Sequence, residues 1–219
     1  MSVERRFLVV KFSLDIESIA DVFFVRTQRN CLFNITAIEN IPSIMQRGIL
    51  CHHSAMKLPH NSIAMSEVQD RRARVRIPNG LWLHQYANLY FSCRNPMMYK
   101  RKEIAETICV LLVSASVLDI PDCVISDMNA AADLARFYPA AEGVGTLDFE
   151  KVFSRYWTHD SDIETRSHRA IKCAEILIPH SIPYSYVESA YVVSKDAQKK
   201  LEDAGFDKGI TVYPEAFFR

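Results

Sequence analysis

A carboxylate set inside an apolar strand is the first residue of this sequence that could do chemistry. In CAEILI, two-residue alternation puts Glu175 on one face with Cys173 and Leu177, and Ala174 with Ile176 on the other. Buried carboxylates are rare unless paired. Glu175 therefore either sits at a strand end and meets water or an arginine, or serves as a catalytic carboxylate. A second oddity is QDRRARVRIP, where Arg71, Arg72, Arg74 and Arg76 cannot all pair with Asp70. They form a solvated loop, or a guanidinium site for phosphates or a carboxylate. A third is LYFSCRNPMMY, in which Asn95-Pro96 breaks a strand and presents Arg94, Met97, Met98 and Tyr99. That mixture of a cation with flat or soft side chains holds stacked bases, or the methionines pack into a core. The seven histidines give no metal geometry, because His52 and His53 are adjacent and point to different sides of an extended chain. No metal is expected.

The elements that must position these residues belong to a chain able to fold without staples. With 219 residues, 49% of them apolar, it is long enough to bury most of its unfolded surface. Its six cysteines form no C-x-x-C pair and no zinc spacing with histidine, and no secretory signal precedes them, so thiols in the cytoplasm are expected. No apolar run approaches the roughly 20 residues of a membrane span, and no membrane partner is expected. The common signatures of phosphate loops, Rossmann folds, hydrolase elbows and zinc proteases are absent. A formal net charge of zero hides an uneven distribution. Residues 65–104 carry eight cations (Arg71, Arg72, Arg74, Arg76, Arg94, Lys100, Arg101, Lys102) against Glu67, Asp70 and Glu103, whereas residues 119–164 are acidic. A polyanion site, if present, must be local.

The first 30 residues open with a strand-like FLVVKF and a short helical pattern in LDIESIADVFF, an N-terminal extension expected to pack on a domain spanning 31–219. CLFNITAIENIPSIMQRGIL reads as strand, helix with Pro42 in its first turn, and Gly48 as its stop. Residues 51–80 read as a long loop around a small amphipathic piece. Strands are expected at ANLYFSC, ETICVLLVSA, AEILIPH, SAYVVS and ITVYPEAFF, and helices at NAADLARFY, DFEKVFSRYW and SKDAQKKLEDAG. The sum is an α+β domain without repeats.

Taken together, NITAIENIPSIMQRGIL, DRRARVRIPNGLWLHQYANLYFSCRNPMMY, ISDMNAA, LDFEKV, KCAEILIPHSIP and VYPEAFF resemble, in order and spacing, the DarT family of DNA ADP-ribosyltransferase toxins. The resemblance runs over residues 31–219. It implies a single-domain PARP-like ADP-ribosyltransferase fold, a split mixed β-sheet flanked by helices. It also implies cleavage of NAD+ as co-substrate and transfer of ADP-ribose to a base of single-stranded DNA, thymine or guanine, with release of nicotinamide. Such a toxin implies a partner that reverses it, a macrodomain-type or other ADP-ribosyl-DNA hydrolase antitoxin.

By the same resemblance Glu175 matches the catalytic glutamate, and Arg72 the arginine of the family's R-A-x-x-x-[VI]-P segment, with Arg71 as its neighbour on NAD+. An Arg-Glu pair of this kind is expected in an open cleft, since a buried one is costly. Asn34 and Thr36 fall where relatives show a Y-H-[IV]-T stretch that holds the nicotinamide end; here Phe33-Asn34-Ile35-Thr36 lacks the histidine. Asn129 in ISDMNAA resembles another NAD+-proximal position, with helix capping as its alternative role, shared with Asp127. Arg74, Arg94 and Tyr99, with Trp157, Arg166, His168 and Arg169 from the segment before Glu175, are the DNA-binding candidates. The competing expectations are a transferase acting on RNA or protein, and an inert NAD- or nucleic-acid-binding module.

Overall fold

Residues 18–218 are described in a computed structural model of the chain; the FLVVKF segment lies outside them. The first helix, α1 (Ile19–Thr27), starts on a capping box between Ser18 and Asp21 and presses Phe23 against Phe91 and Phe149. Strand β1 (Cys31–Ala37) leads through a short 3-10 turn into α2 (Ile41–Arg47) and β2 (Ile49–Leu50). Gly48 separates these last two at φ +78°, where a Cβ would lie 2.2 Å from the Ile182 carbonyl oxygen, so only glycine fits. The 51–80 stretch holds two short helices, α3 (His52–Ala55) and α4 (Ser66–Arg72). There follow β3 (Tyr86–Tyr90), α5 (Pro96–Tyr99), β4 (Ile108–Ser114), β5 (Val124–Ser126), β6 (Phe137–Pro139), α6 (Ala140–Thr146), α7 (Phe149–Phe153) and α8 (Asp162–Ile171). The chain closes with β7 (Glu175–Pro179), β8 (Ser181–Ile182), β9 (Val187–Val192), α9 (Lys195–Asp203) and β10 (Gly209–Val212).

Eight strands form one sheet in the order β10-β9-β4-β1-β3-β7-β5-β6, and β2 pairs with β8 in a small second one. The large sheet is mixed, because β10 runs parallel to β9 while the other ladders are antiparallel. It is split at its centre. β1 pairs with β4 along its whole length but meets β3 through a single pair of partners, Phe33 and Tyr90. At this seam the Asn34 side chain donates to the Asn88 carbonyl at 3.2 Å, a side-chain link where the ladder has opened. The apolar run of β4 lies in the interior of the sheet, and Ile108 to Val113 are buried on both faces.

Two expected helices differ. NAADLARFY forms turns and then β6, because its polar groups are used otherwise. Asn129 Oδ1 accepts from the Ala131 amide, Asp127 Oδ1 accepts from the Arg136 amide, and the Ala130 amide leaves the local backbone altogether. The helix of DFEKVFSRYW is capped by Asp148 and stops at Phe153, where Ser154 turns extended. Helix α9 starts at its Ser194 cap and is followed by Gly205 at φ +86°, as the pattern indicates.

Candidate active site

Glu175 is the first residue of β7, and Arg72 the last of α4, and the fold brings them into contact across 103 positions of sequence. Arg72 Nη1 donates to both carboxylate oxygens, 3.0 Å to Oε1 and 2.9 Å to Oε2. The Ala130 amide donates to Oε1 at 3.0 Å. The displaced backbone of the 129–133 turn thus supplies a second donor to the carboxylate. The pair is not in an open cleft, as the sequence suggested: Glu175 is 1% and Arg72 7% exposed. Three charge-assisted hydrogen bonds offset the desolvation that made a buried arrangement improbable on sequence grounds. Among the described residues every hydrogen bond of the Arg72 side chain runs from Nη1 to Glu175, so Nε and Nη2 keep donor capacity.

Two neighbours were missed in the sequence. Tyr90 and Ser126 flank Glu175 in the ladders on either side, which puts all three on one face. Burial first, and the charge of Glu175 second, push the Tyr90 phenol far above its ordinary range, so it stays a neutral donor. Strand alternation through ANLYFSC could have pointed to it. Cys173, two residues before Glu175, is pushed up to about 12, by burial first and Glu175 next. It is an unreactive thiol, and all six cysteines are unpaired.

On the Arg72 side stand His52 and His84, their ring centroids 4.2 Å apart. His84 is lowered to about 4 by burial first, then by His52 and the Arg72 charge, and His52 is lowered by burial first, then by His60 and Arg72. These neutral rings adjoin the guanidinium without adding charge. No group of three or more His, Cys, Asp or Glu suited to a metal occurs among the described residues.

The remaining candidates separate into two cavities. Asn34 and Thr36 line one of about 140 Å³ together with Asn40, Ser43 and Gly48. Asn40 clamps the Asn61 backbone through both ends of its amide and donates to Thr36 Oγ1 at 3.2 Å. Arg71 and Asn129 line a different cavity, of about 480 Å³, with Arg166 and Arg169 from α8 and with Lys100, Arg101, Met97 and Cys173. Against these cations it has one carboxylate, Glu67. Cys173 ties this basic cavity to the Glu175 side of the sheet.

Five DNA-binding candidates stand elsewhere. Arg74 is exposed on the turn after α4 and lines neither cavity. Arg94, Tyr99 and Trp157 gather on the far side of α5. His168 is corrected outright. It is buried, its Nε2 meeting Ser154 Oγ and the Lys151 carbonyl and its Nδ1 meeting His159 Nε2 at 2.7 Å, so it fastens the 151–159 segment and has no ring nitrogen left for a base. Of the methionines, Met98 is core, while Met97 reaches the basic cavity.

With this geometry in view, the family model described as DarT, ssDNA thymidine ADP-ribosyltransferase, matches residues 33–218. The chain belongs to the DarT family. A Thermosipho africanus relative, a fusion of a DNA ADP-ribosyl transferase with a DNA ADP-ribosyl glycohydrolase, is 31% identical over 202 residues, 85% of this chain and 48% of that protein. The chain thus spans about half the length of that relative. The Thermus sp. 2.9 DarT, solved in complex with ADP-ribosylated single-stranded DNA, superposes with a TM-score of 0.74 at 26% identity, covering 87% of this chain and 97% of that one. The same DarT in complex with NAD+ gives a TM-score of 0.70 at 25% identity, over 86% and 98% of the two chains. The α+β fold with its large mixed sheet is therefore the DarT fold.

Proposed function

We propose that this chain cleaves NAD+ and transfers ADP-ribose to a base of single-stranded DNA, thymine, with release of nicotinamide. The observation that carries the proposal is Glu175: a buried carboxylate with two fixed donors on Oε1 and only Arg72 on Oε2. Oε2 retains room to accept from a hydroxyl. Glu175 is the catalytic residue. It accepts from the ribose 2'-hydroxyl and its charge favours the ring as positive charge spreads over the anomeric carbon. The glycosidic C–N bond to nicotinamide breaks, taking its electron pair onto the pyridine nitrogen. A base nitrogen supplies the electron pair of the new C–N bond and gives up its proton to solvent.

Arg72 holds Glu175 in place and turns its remaining donors to an NAD+ phosphate or to the ionising base. Asn34 and Thr36 hold the carboxamide or ribose of the nicotinamide half in their small, uncharged cavity. Asn34, standing where relatives have histidine, spends its amide nitrogen on the sheet seam and leaves its oxygen for the ligand. The basic cavity takes the acceptor strand, with Arg166 and Arg169 on phosphates and Arg71 and Asn129 between strand and NAD+. Such an activity is toxic in a growing cell, and the fused glycohydrolase of the Thermosipho relative is the kind of partner that would reverse it. No described helix is long and apolar enough to cross a membrane.

Incubation with NAD+ and, separately, single-stranded DNA, duplex DNA and RNA, followed by mass spectrometry of the digested nucleosides, tests the reading. The expected product is an ADP-ribosylated thymidine from the single strand. Labelling of RNA or protein alone, or binding without nicotinamide release, overturns it.

A further inference from the structure

Away from the reactive pair, a second group of side chains has the composition of a nucleotide site, with arginines that no carboxylate neutralises among the described residues. After α7 the chain turns outward and lays Trp157 against Tyr99 of α5, and the C-terminal turn adds Phe218. The centroids are 6.1 Å apart for Tyr99 and Trp157, 5.3 Å for Tyr99 and Phe218, and 5.6 Å for Trp157 and Phe218. All three contacts are edge-to-face, with interplanar angles of 81°, 82° and 74°. Tyr99 stays 45% exposed. The Arg94 guanidinium lies 4.0 Å from the Phe218 centroid, anchored by Nη1 on the Glu215 carbonyl, and its buried Nε has no partner.

These rings line a cavity of about 340 Å³, which Arg94 and Arg155 share with a neighbouring cavity of about 480 Å³ that also holds Arg29. Among the described residues none of the three arginines is in an ion pair. The site is distinct from the small cavity assigned to NAD+. Phe33 lines the Arg29 cavity while Asn34 and Thr36 line the other, and the two cavities share no lining residue. It is continuous with the acceptor side. Met97 and Lys100 of the α5 region face the basic cavity, and Tyr99 crowns the same ridge.

We propose that Tyr99, Trp157 and Phe218, with Arg94, Arg155 and Arg29, form a second subsite for the acceptor strand. It stacks a base next to the modified one and holds its phosphate. The inference rests on the single-stranded DNA reading above and gives α5 the role of a ridge over which the strand passes. Flat rings take any base face, and guanidiniums take the phosphodiester, so the subsite adds affinity and reach.

Two measurements test it. The native protein is expected to modify a ten-nucleotide strand at least tenfold more efficiently (kcat/KM) than a trinucleotide carrying the same target. Trp157→Ala, or Arg155→Ala at an exposed side chain, should collapse that ratio toward one. Equal losses on both lengths overturn the subsite. Independently of turnover, Trp82→Phe leaves Trp157 as the sole tryptophan. Its fluorescence should be quenched by the ten-nucleotide strand and much less by the same strand with abasic flanking positions. No quenching, or equal quenching by both strands, overturns the proposal. Quenching without transfer to any DNA would instead sink the transferase reading and leave the subsite standing.

Discussion

The two halves of the central sheet are built for different purposes. On one side of the seam, β4 carries an unbroken apolar run, Ile108 to Val113, buried in the core. On the other, β3, β5 and β7 bury Glu175, Ser126 and half-buried Tyr90 side by side on one face. Polar groups there are tolerated because each ladder neighbour or nearby turn supplies a partner, as the Ala130 amide does for Glu175. The first half supplies rigidity through packing, and the second spends some of that rigidity on a desolvated charge. A single pair of ladder partners joins them, so the proposed chemistry sits beside the seam rather than within either core.

The largest effect that would sharpen this contrast is on stability. Leu111→Ala in the middle of β4 should cost about 2–5 kcal/mol in chemical denaturation, with kcat of the folded fraction unchanged within about twofold. Glu175→Gln should do the reverse, lowering kcat on the order of a hundredfold, about 2.7 kcal/mol in the barrier, in a protein that still melts cooperatively. Its amide keeps an acceptor for Arg72 and for the Ala130 amide, whereas Glu175→Ala would strand a buried guanidinium and cost stability as well. If both variants lose activity only in proportion to unfolding, the division between halves is wrong.

Acid should separate the halves more gently. His84 is lowered to about 4 in the fold against an ordinary value near 6.5, so between those pH values the unfolded chain binds the extra proton. Stability should therefore hold above about pH 6.5 and fall as pH is lowered toward 4. His84→Gln should flatten that slope in urea titrations at successive pH values. Two arginines two positions apart should differ as well: Arg72→Ala should cut turnover by tens of fold or more, and the exposed Arg74→Ala by less than about threefold. Equal effects would reduce the cluster to a general phosphate-attracting field.

Much of this was legible before any coordinates. The strand, helix and glycine stop of residues 31–48 follow from local rules, since Pro42 and Gly48 fix backbone geometry where they stand. Glu175 stood out because a charge in an apolar alternating strand needs a partner, and family resemblance named Arg72 as that partner. The turn at 129–133 was not legible. Its sequence has helical composition, but the Ala130 amide is taken by a carboxylate 45 positions away, a tertiary demand that overrides propensity. For the same reason His168, polar and near the site in sequence, was misread. Its burial depends on Ser154 and His159, which no periodicity brings together.

The Ala130 amide also bears on how this site can change over generations. A side-chain partner is lost with one codon, but a main-chain donor persists through every replacement at its position except proline. One anchor of the Glu175 carboxylate is thus shielded from ordinary mutation, whereas the arginine that holds it and the cavity walls around it change with single side chains.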